Sequence, residues 1–352
     1  MLTPSQKLNP NLFSPDVEQV PIRKGFGEGL LKAAEMDKNV VGLCADLTES
    51  TQMEAFKKKF PERFTEVGVA EQNLATVASG MAAMGKIPFI SSYAVFSPGR
   101  NWEQIRTTVC YNNRPVKIAG SHAGVSVGPD GGSHQALEDI ALTRVLPRMV
   151  VISPCDAIQA KKATIAAAKT TDPTYIRLAR EKTPVITSEE TPFEIGKAQE
   201  VFRSHRAKSY EIGDKNKTHH SSYLVSHTSG DVGIIATGAL LYKALKVAQK
   251  LTENGKSVTV LNVHTIKPLD VEAIIKLAHE TRALVTVEEH QILGGLGSAV
   301  AECLASHFPV PIEFIGVKDQ FGQSGKPDEL LEYYGMGESH IYDAAQRVIL
   351  RK

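Results

Sequence analysis

Six short apolar runs recur along the first half of the chain: Val40 to Cys44, Thr65 to Val69, Ile87 to Tyr93, Val116 to Gly120, Met149 to Ile152 and Thr174 to Leu178. Between most of them lie segments with small-residue or amphipathic helical spacing, such as Asn73 to Met84, Trp102 to Cys110 and Asp156 to Lys169. Short strands that are apolar along their whole length are buried on both faces, and intervening helices make them run parallel. The rhythm predicts an α/β fold with a mostly parallel sheet. In such sheets ligands bind outside the carboxyl ends of the strands.

A second unit of the same kind is expected from Asp231. Its strand-like runs are Val232 to Ala236, Val258 to Val263, Ala283 to Val287 and Ile312 to Val317, and its helices Leu240 to Asn254, Val271 to Thr281, Ser298 to His307 and Tyr342 to Arg351. The 352 residues suffice for two domains, each with its own core. The expected division is an irregular leader over 1–19, a first α/β domain over 20–190, a linker over 191–230 and a smaller second α/β domain over 231–352. Within the linker, Ser204 to Ser229 is a polar excursion rich in Ser, His, Lys and Asn.

Several function classes drop out. A net charge of +1 offers no field for nucleic acid or an acidic membrane. No apolar run reaches membrane-spanning length, and Met1 to Glu18 lacks the apolar stretch of a signal peptide, so a cytoplasmic location is expected. Cys44, Cys110, Cys155 and Cys303 show no zinc-like spacing. Two glycine-rich stretches, Gly25 to Gly29 and Gly294 to Ser298, superficially resemble nucleotide loops. The first has no preceding strand and the second no acidic ribose partner, so both read as close packing or tight turns.

The strand ends carry the chemistry. Asp46 and Ser50 follow the first run, Glu71 the second, and Tyr93 with Phe96 the third; His122, Asp130 and His134 follow the fourth, and Arg180 the last. Glu71 sits where a strand gives way to a helix. Gly120 to His134 is rich in glycine and reads as an irregular loop able to approach a ligand closely. The spacing of His122, Asp130 and His134 matches no standard zinc pattern, so no metal is assigned and hydrogen bonding to a polar substrate is expected.

Taken together, Asp46-Leu47-Thr48-Glu49-Ser50, Gly68-Val69-Ala70-Glu71-Gln72, the Tyr93/Phe96 strand end and Gly128-Pro129-Asp130-Gly131-Gly132-Ser133-His134-Gln135 resemble the C-terminal half of transketolase. Thr265-Ile266-Lys267-Pro268-Leu269-Asp270 and Glu288-Glu289-His290-Gln291 in the second unit resemble the same family. The resemblance implies a pyrimidine-binding domain followed by a transketolase C-terminal domain, with thiamine diphosphate as cofactor. It implies that Glu71 hydrogen-bonds N1′ of the aminopyrimidine and favours the imino tautomer that deprotonates the thiazolium carbon. Such chemistry needs a carboxyl in a largely apolar pocket. By the same resemblance Phe96 and Tyr93 pack against the pyrimidine and Asp46 lies near the cofactor. His122, Asp130 and the catalytic His134 contact the sugar, and Arg23, Ser50 and Arg180 hold its phosphate.

Two departures weaken the substrate assignment. Ala70 and Gln72 flank the glutamate where transketolases often carry Arg and His, and Pro129 replaces a common glutamate. The family binds the diphosphate and its divalent metal, Mg²⁺ or Ca²⁺, through a separate domain with a GDG…N motif, which is not found here. The resemblance thus implies one half of a split transketolase acting on sugar phosphates, paired with an N-terminal subunit in an α2β2-like assembly. Alternatives are a deoxyxylulose-phosphate-synthase-like chain, a 2-oxo acid dehydrogenase E1 beta-type subunit, or a non-catalytic regulatory subunit.

Overall fold

The computed structural model describes residues 1–204 and 230–352; the expected polar excursion therefore lies, except for Ser204, outside the described residues. The strands of the first half are β1 (Gln19–Pro21), β2 (Val40–Cys44), β3 (Phe64–Glu66), β4 (Ile87–Tyr93), β5 (Lys117–Ser121), β6 (Val150–Ile152), β7 (Thr174–Arg177) and β8 (Lys182–Pro184). Those that follow are β9 (Gln199–Arg203), β10 (Val232–Ala236), β11 (Val258–Asn262), β12 (Thr265–Lys267), β13 (Leu284–Gln291) and β14 (Ile312–Val317).

The larger sheet runs β12-β6-β7-β5-β4-β2-β3 and is parallel except for β12. The second runs β14-β13-β10-β11-β9 and is parallel except for β9. Every residue of β2, β5, β7, β10 and β11 is buried, as strands covered on both faces are, including the charged Lys117 and Arg177. Among the described residues no helix is long and apolar enough to cross a membrane.

Helix Ile22–Met36 packs along helix Ala157–Ala168. A Cβ on Gly25 would stand 1.8 Å from the carbonyl oxygen of Ala157, so the first glycine-rich stretch serves close helix contact. Segment Trp102–Cys110 begins as an α-turn and continues as a π-helix from Ile105. Helices at Glu54–Lys59, Asp139–Arg144 and Pro327–Tyr333 were not expected from spacing; at six or seven residues they are too short to display a clear 3.6-residue period.

The two halves are more interleaved than the expected division suggests. Strand β9 falls inside the expected linker yet forms an edge of the second sheet. Strand β12 comes from the second half and extends the first sheet beside β6. Leu261, Val263 and Ile266 share one apolar cluster with Val41, Met149 and Val151. The leader is irregular but not loose: Leu12 is fully buried in the second half's core, and Thr3 N donates to Val201 O at 3.1 Å.

Candidate active site

Helix Glu71–Ala83 starts on Glu71 itself, where a carboxylate favours the positive end of the helix dipole. The residue is 4% exposed. Its backbone carbonyl accepts a 2.9 Å bond from Asn101 Nδ2, which also donates to Ser97 Oγ at 3.1 Å. The helix start is thereby tied to the segment that follows β4.

That segment supplies a residue missed by sequence reasoning. Arg100 N donates to Phe96 O at 2.8 Å, so the backbone makes one helical turn and sets Arg100 above Phe96. Ser97-Pro98-Gly99 reads as punctuation that hides the turn, although Gly99 permits it: a Cβ there would stand 1.9 Å from Val95 O. Arg100 Nη1 donates to Glu71 Oε1 at 3.2 Å and Oε2 at 3.3 Å, and its guanidinium carbon lies 4.1 Å from the centre of the Phe96 ring. The expectation of a largely apolar pocket around Glu71 is corrected accordingly, since a cation faces the carboxylate.

Beyond Phe96 the rings form a continuous wall. Tyr93 stacks on Phe96 with centroids 6.0 Å apart and on His122 at 3.9 Å, while His134 meets Phe96 edge-on at 5.4 Å. His122 directly follows β5 and adopts a left-handed backbone, φ 58°. It is buried, and its Nδ1 pairs with Ser121 Oγ at 2.9 Å. Burial, then the cations Arg23 and Arg180 and the neighbouring His134, push the imidazole pKa down to about 3. His122 is therefore a neutral hydrogen-bonding group at neutral pH, not an acid.

Arg23 and Arg180 adjoin each other beside this wall. Arg23 donates from Nε to Arg180 O at 3.2 Å and from Nη1 to Ser50 O at 2.6 Å, and Arg180 Nη1 donates to Val127 O at 2.7 Å. Burial and the like charge of Arg180 hold the Arg23 pKa below its ordinary value. Arg180 Nη1 also pairs with Glu181 Oε1 at 3.2 Å, yet two adjacent guanidiniums keep further N–H donors, which is chemistry for an anion.

Two expected site residues stand apart. Asp46, also left-handed at φ 59°, is exposed; its N–H donates to Glu66 Oε1 at 2.7 Å. Glu66, another residue that sequence reasoning missed, also accepts from Thr48 Oγ1 and Gly68 N at 3.0 Å each and so shapes both strand-end loops. Asp130 is exposed at the end of a 3₁₀ segment, Val125–Asp130, where only irregular loop was expected. Among the described residues no hydrogen bond or ion pair joins its carboxylate to the cluster.

A hollow of about 540 Å³ opens beside Glu71, lined by Val69, Ala70, Gln72, Asn73 and Arg100. A second, of about 240 Å³, lies around Ser126, Glu289, Tyr242 and Lys243 and contains none of the candidate residues. Among the described residues no group of three or more His, Cys, Asp or Glu side chains could hold a metal ion. An aminopyrimidine needs a carboxylate for its ring nitrogen and an aromatic face to stack on. Glu71 and Phe96 provide both, and the planar Arg100 guanidinium already uses both at once. The residues present fit that end of thiamine diphosphate.

Comparison with known proteins places the whole chain. Residues 18–185 match the transketolase pyrimidine-binding domain and residues 222–341 the transketolase C-terminal domain. A Methanocaldococcus jannaschii chain described as a transketolase C-terminal section is 44% identical over 322 residues, covering 90% of this chain and 93% of that one. The 6-deoxy-6-sulfo-D-fructose transketolase subunit SqwH of Clostridium sp. (strain MSTE9) is 37% identical, covering 97% of this chain and 98% of its own. The solved structure of a split-gene transketolase, an inactive beta4 tetramer, superposes with a TM-score of 0.82 at 39% identity and covers 95% of this chain and 99% of that one. The chain belongs to the transketolase family.

Proposed function

We propose that this chain is the pyrimidine-binding half of a split, thiamine diphosphate-dependent transketolase. It moves a two-carbon ketol unit from a ketose phosphate to an aldose phosphate together with a separate subunit that holds the diphosphate and its Mg²⁺ or Ca²⁺. The observation that carries the reading is Glu71, a buried carboxylate at a helix start, with Arg100 linking it to the Phe96 ring face. Near-complete coverage of relatives named as sections or subunits supports the division between chains.

Thiamine diphosphate, when bound, supplies the carbon nucleophile for the transfer. Glu71 holds the proton at N1′ of the aminopyrimidine, and Phe96 with Tyr93 packs against that ring and excludes water from it. His134 and the neutral His122 line the side toward the sugar and hydrogen-bond its hydroxyls, with His134 placed for proton transfer at the reacting oxygen; Asp130 joins them from the adjoining loop. Arg23 and Arg180, with Ser50, take the phosphate, which relieves the repulsion between the two cations. Asp46, exposed in the neighbouring strand-end loop, is assigned to the cofactor side of the site. The expected division into domains is kept in the same sense: 20–190 carries the site and 231–352 packs against it.

The test is ketol transfer from xylulose 5-phosphate to ribose 5-phosphate with thiamine diphosphate and Mg²⁺, run on this chain alone and mixed with a diphosphate-binding subunit from the same source. Activity confined to the mixture is expected. Activity on pyruvate with a lipoyl acceptor instead would contradict the transketolase assignment.

A further inference from the structure

Glu71 offers little edge to solvent, and that edge is taken. Arg100 Nη1 bonds both carboxylate oxygens while the guanidinium carbon sits 4.1 Å over the Phe96 ring. Granting the functional reading above, a flat, nitrogen-bearing group that stacks on Phe96 and donates to Glu71 is also a description of the aminopyrimidine. Two such groups cannot share one carboxylate edge and one ring face.

Arg100 is built to leave. Its side chain is 52% exposed, whereas Glu71 is 4% exposed. Among the described residues Glu71 is its only side-chain hydrogen-bond partner. The backbone beneath it is anchored independently, because the buried Asn101 grips Glu71 O and Ser97 Oγ. A swing of the Arg100 side chain therefore leaves Glu71 and Phe96 in place.

We propose that Arg100 is an internal occupant of the aminopyrimidine place, a self-made cap that covers Glu71 until thiamine diphosphate displaces it. Cofactor loading then competes with a contact inside the chain, and the apparent affinity is lowered by the fraction of molecules that are capped. The cap keeps a buried carboxylate paired in the unloaded protein.

The experiment is calorimetric titration of thiamine diphosphate, with Mg²⁺, into the reconstituted two-subunit complex carrying wild-type, Arg100→Ala or Arg100→Gln chains. Both variants are expected to bind about fivefold more tightly, the size of a half-exposed ion pair with a cation–π contact. The advantage should shrink as KCl is raised, because the competing pair is screened; a merely structural role for Arg100 gives no such salt dependence. Equal or weaker binding by both variants would overturn the cap while leaving the functional reading intact. A complex that binds no cofactor in any form would overturn both.

Discussion

Two regions of the molecule use the same kinds of residues to opposite ends. At the strand ends of the first sheet, Glu71, Arg100, Tyr93, Phe96, His122 and His134 touch each other through ring faces and a single ion pair beside an open hollow. Between the halves, Asp139, Arg177, Tyr175 and Glu289 form a closed network. Arg177 donates from Nε to Asp139 Oδ2 at 2.8 Å and from Nη2 to Glu289 O at 2.8 Å, and Tyr175 OH donates to Asp139 Oδ2 at 2.7 Å. The side chain of Glu289 in turn accepts from Ser126 N at 2.6 Å. Burial alone would raise the Asp139 carboxyl, but Arg177, His290 and Tyr175 together hold it below its ordinary value. Arg177 and Tyr175 use their donors inside the chain, and the network clamps; the strand-end cluster keeps ring faces and arginine donors for something else. Residue type does not separate a site from a clamp; unspent hydrogen-bonding and stacking capacity does.

The clamp is the place to expect the largest loss of stability. Replacing Arg177 by Met leaves Asp139 buried without its cation and should destabilise the protein by about 3–5 kcal/mol in urea unfolding, as for other broken buried pairs. Loss of activity without loss of stability would move Arg177 into the site. Removing Arg100 should cost less than removing Arg177, because Arg100 is itself 52% exposed and its departure opens the Glu71 carboxylate to water, although that carboxylate is otherwise buried.

His122 gives a pH-dependent contrast. Its folded pKa, about 3, lies below the unfolded value, so the unfolded chain binds the extra proton between about pH 6.5 and 3. The sign follows: its contribution is full above pH 6.5 and is lost as pH falls toward 3, about 2 kcal/mol by pH 5. His122→Gln should flatten the stability–pH curve in that window by this amount. An unchanged slope would mean that His122 is not buried as the neutral ring. Phe96→Ala removes the stacking face and should weaken thiamine diphosphate binding by about threefold to tenfold, with a small loss of stability from its contacts with Tyr93 and His134.

Much of this architecture was legible in the chain. Val40–Cys44, Ile87–Tyr93, Val232–Ala236, Ile312–Val317 and helix Val271–Thr281 occupy the bounds that periodicity predicts, because burial leaves one choice for such runs. Strand β12 escaped notice because three residues carry no period, and it finds its partner β6 only after the halves pack. The strand-end residues were readable as a group, yet the Glu71–Arg100 pair was not, since a Ser-Pro-Gly stretch conceals a helical turn. Asp139 and Arg177 were unreadable for a different reason: they are far apart in sequence and meet only through the sheet.

The most direct test of the central claim is Glu71→Gln in the reconstituted complex, with ketol transfer and assembly measured side by side. The account predicts a fall in kcat of about a thousandfold, within the range for losing a positioned proton-transfer group, with the two subunits still assembling. Turnover close to wild type would contradict the proton-holding role of Glu71, and with it the reading of the open cluster as an active site.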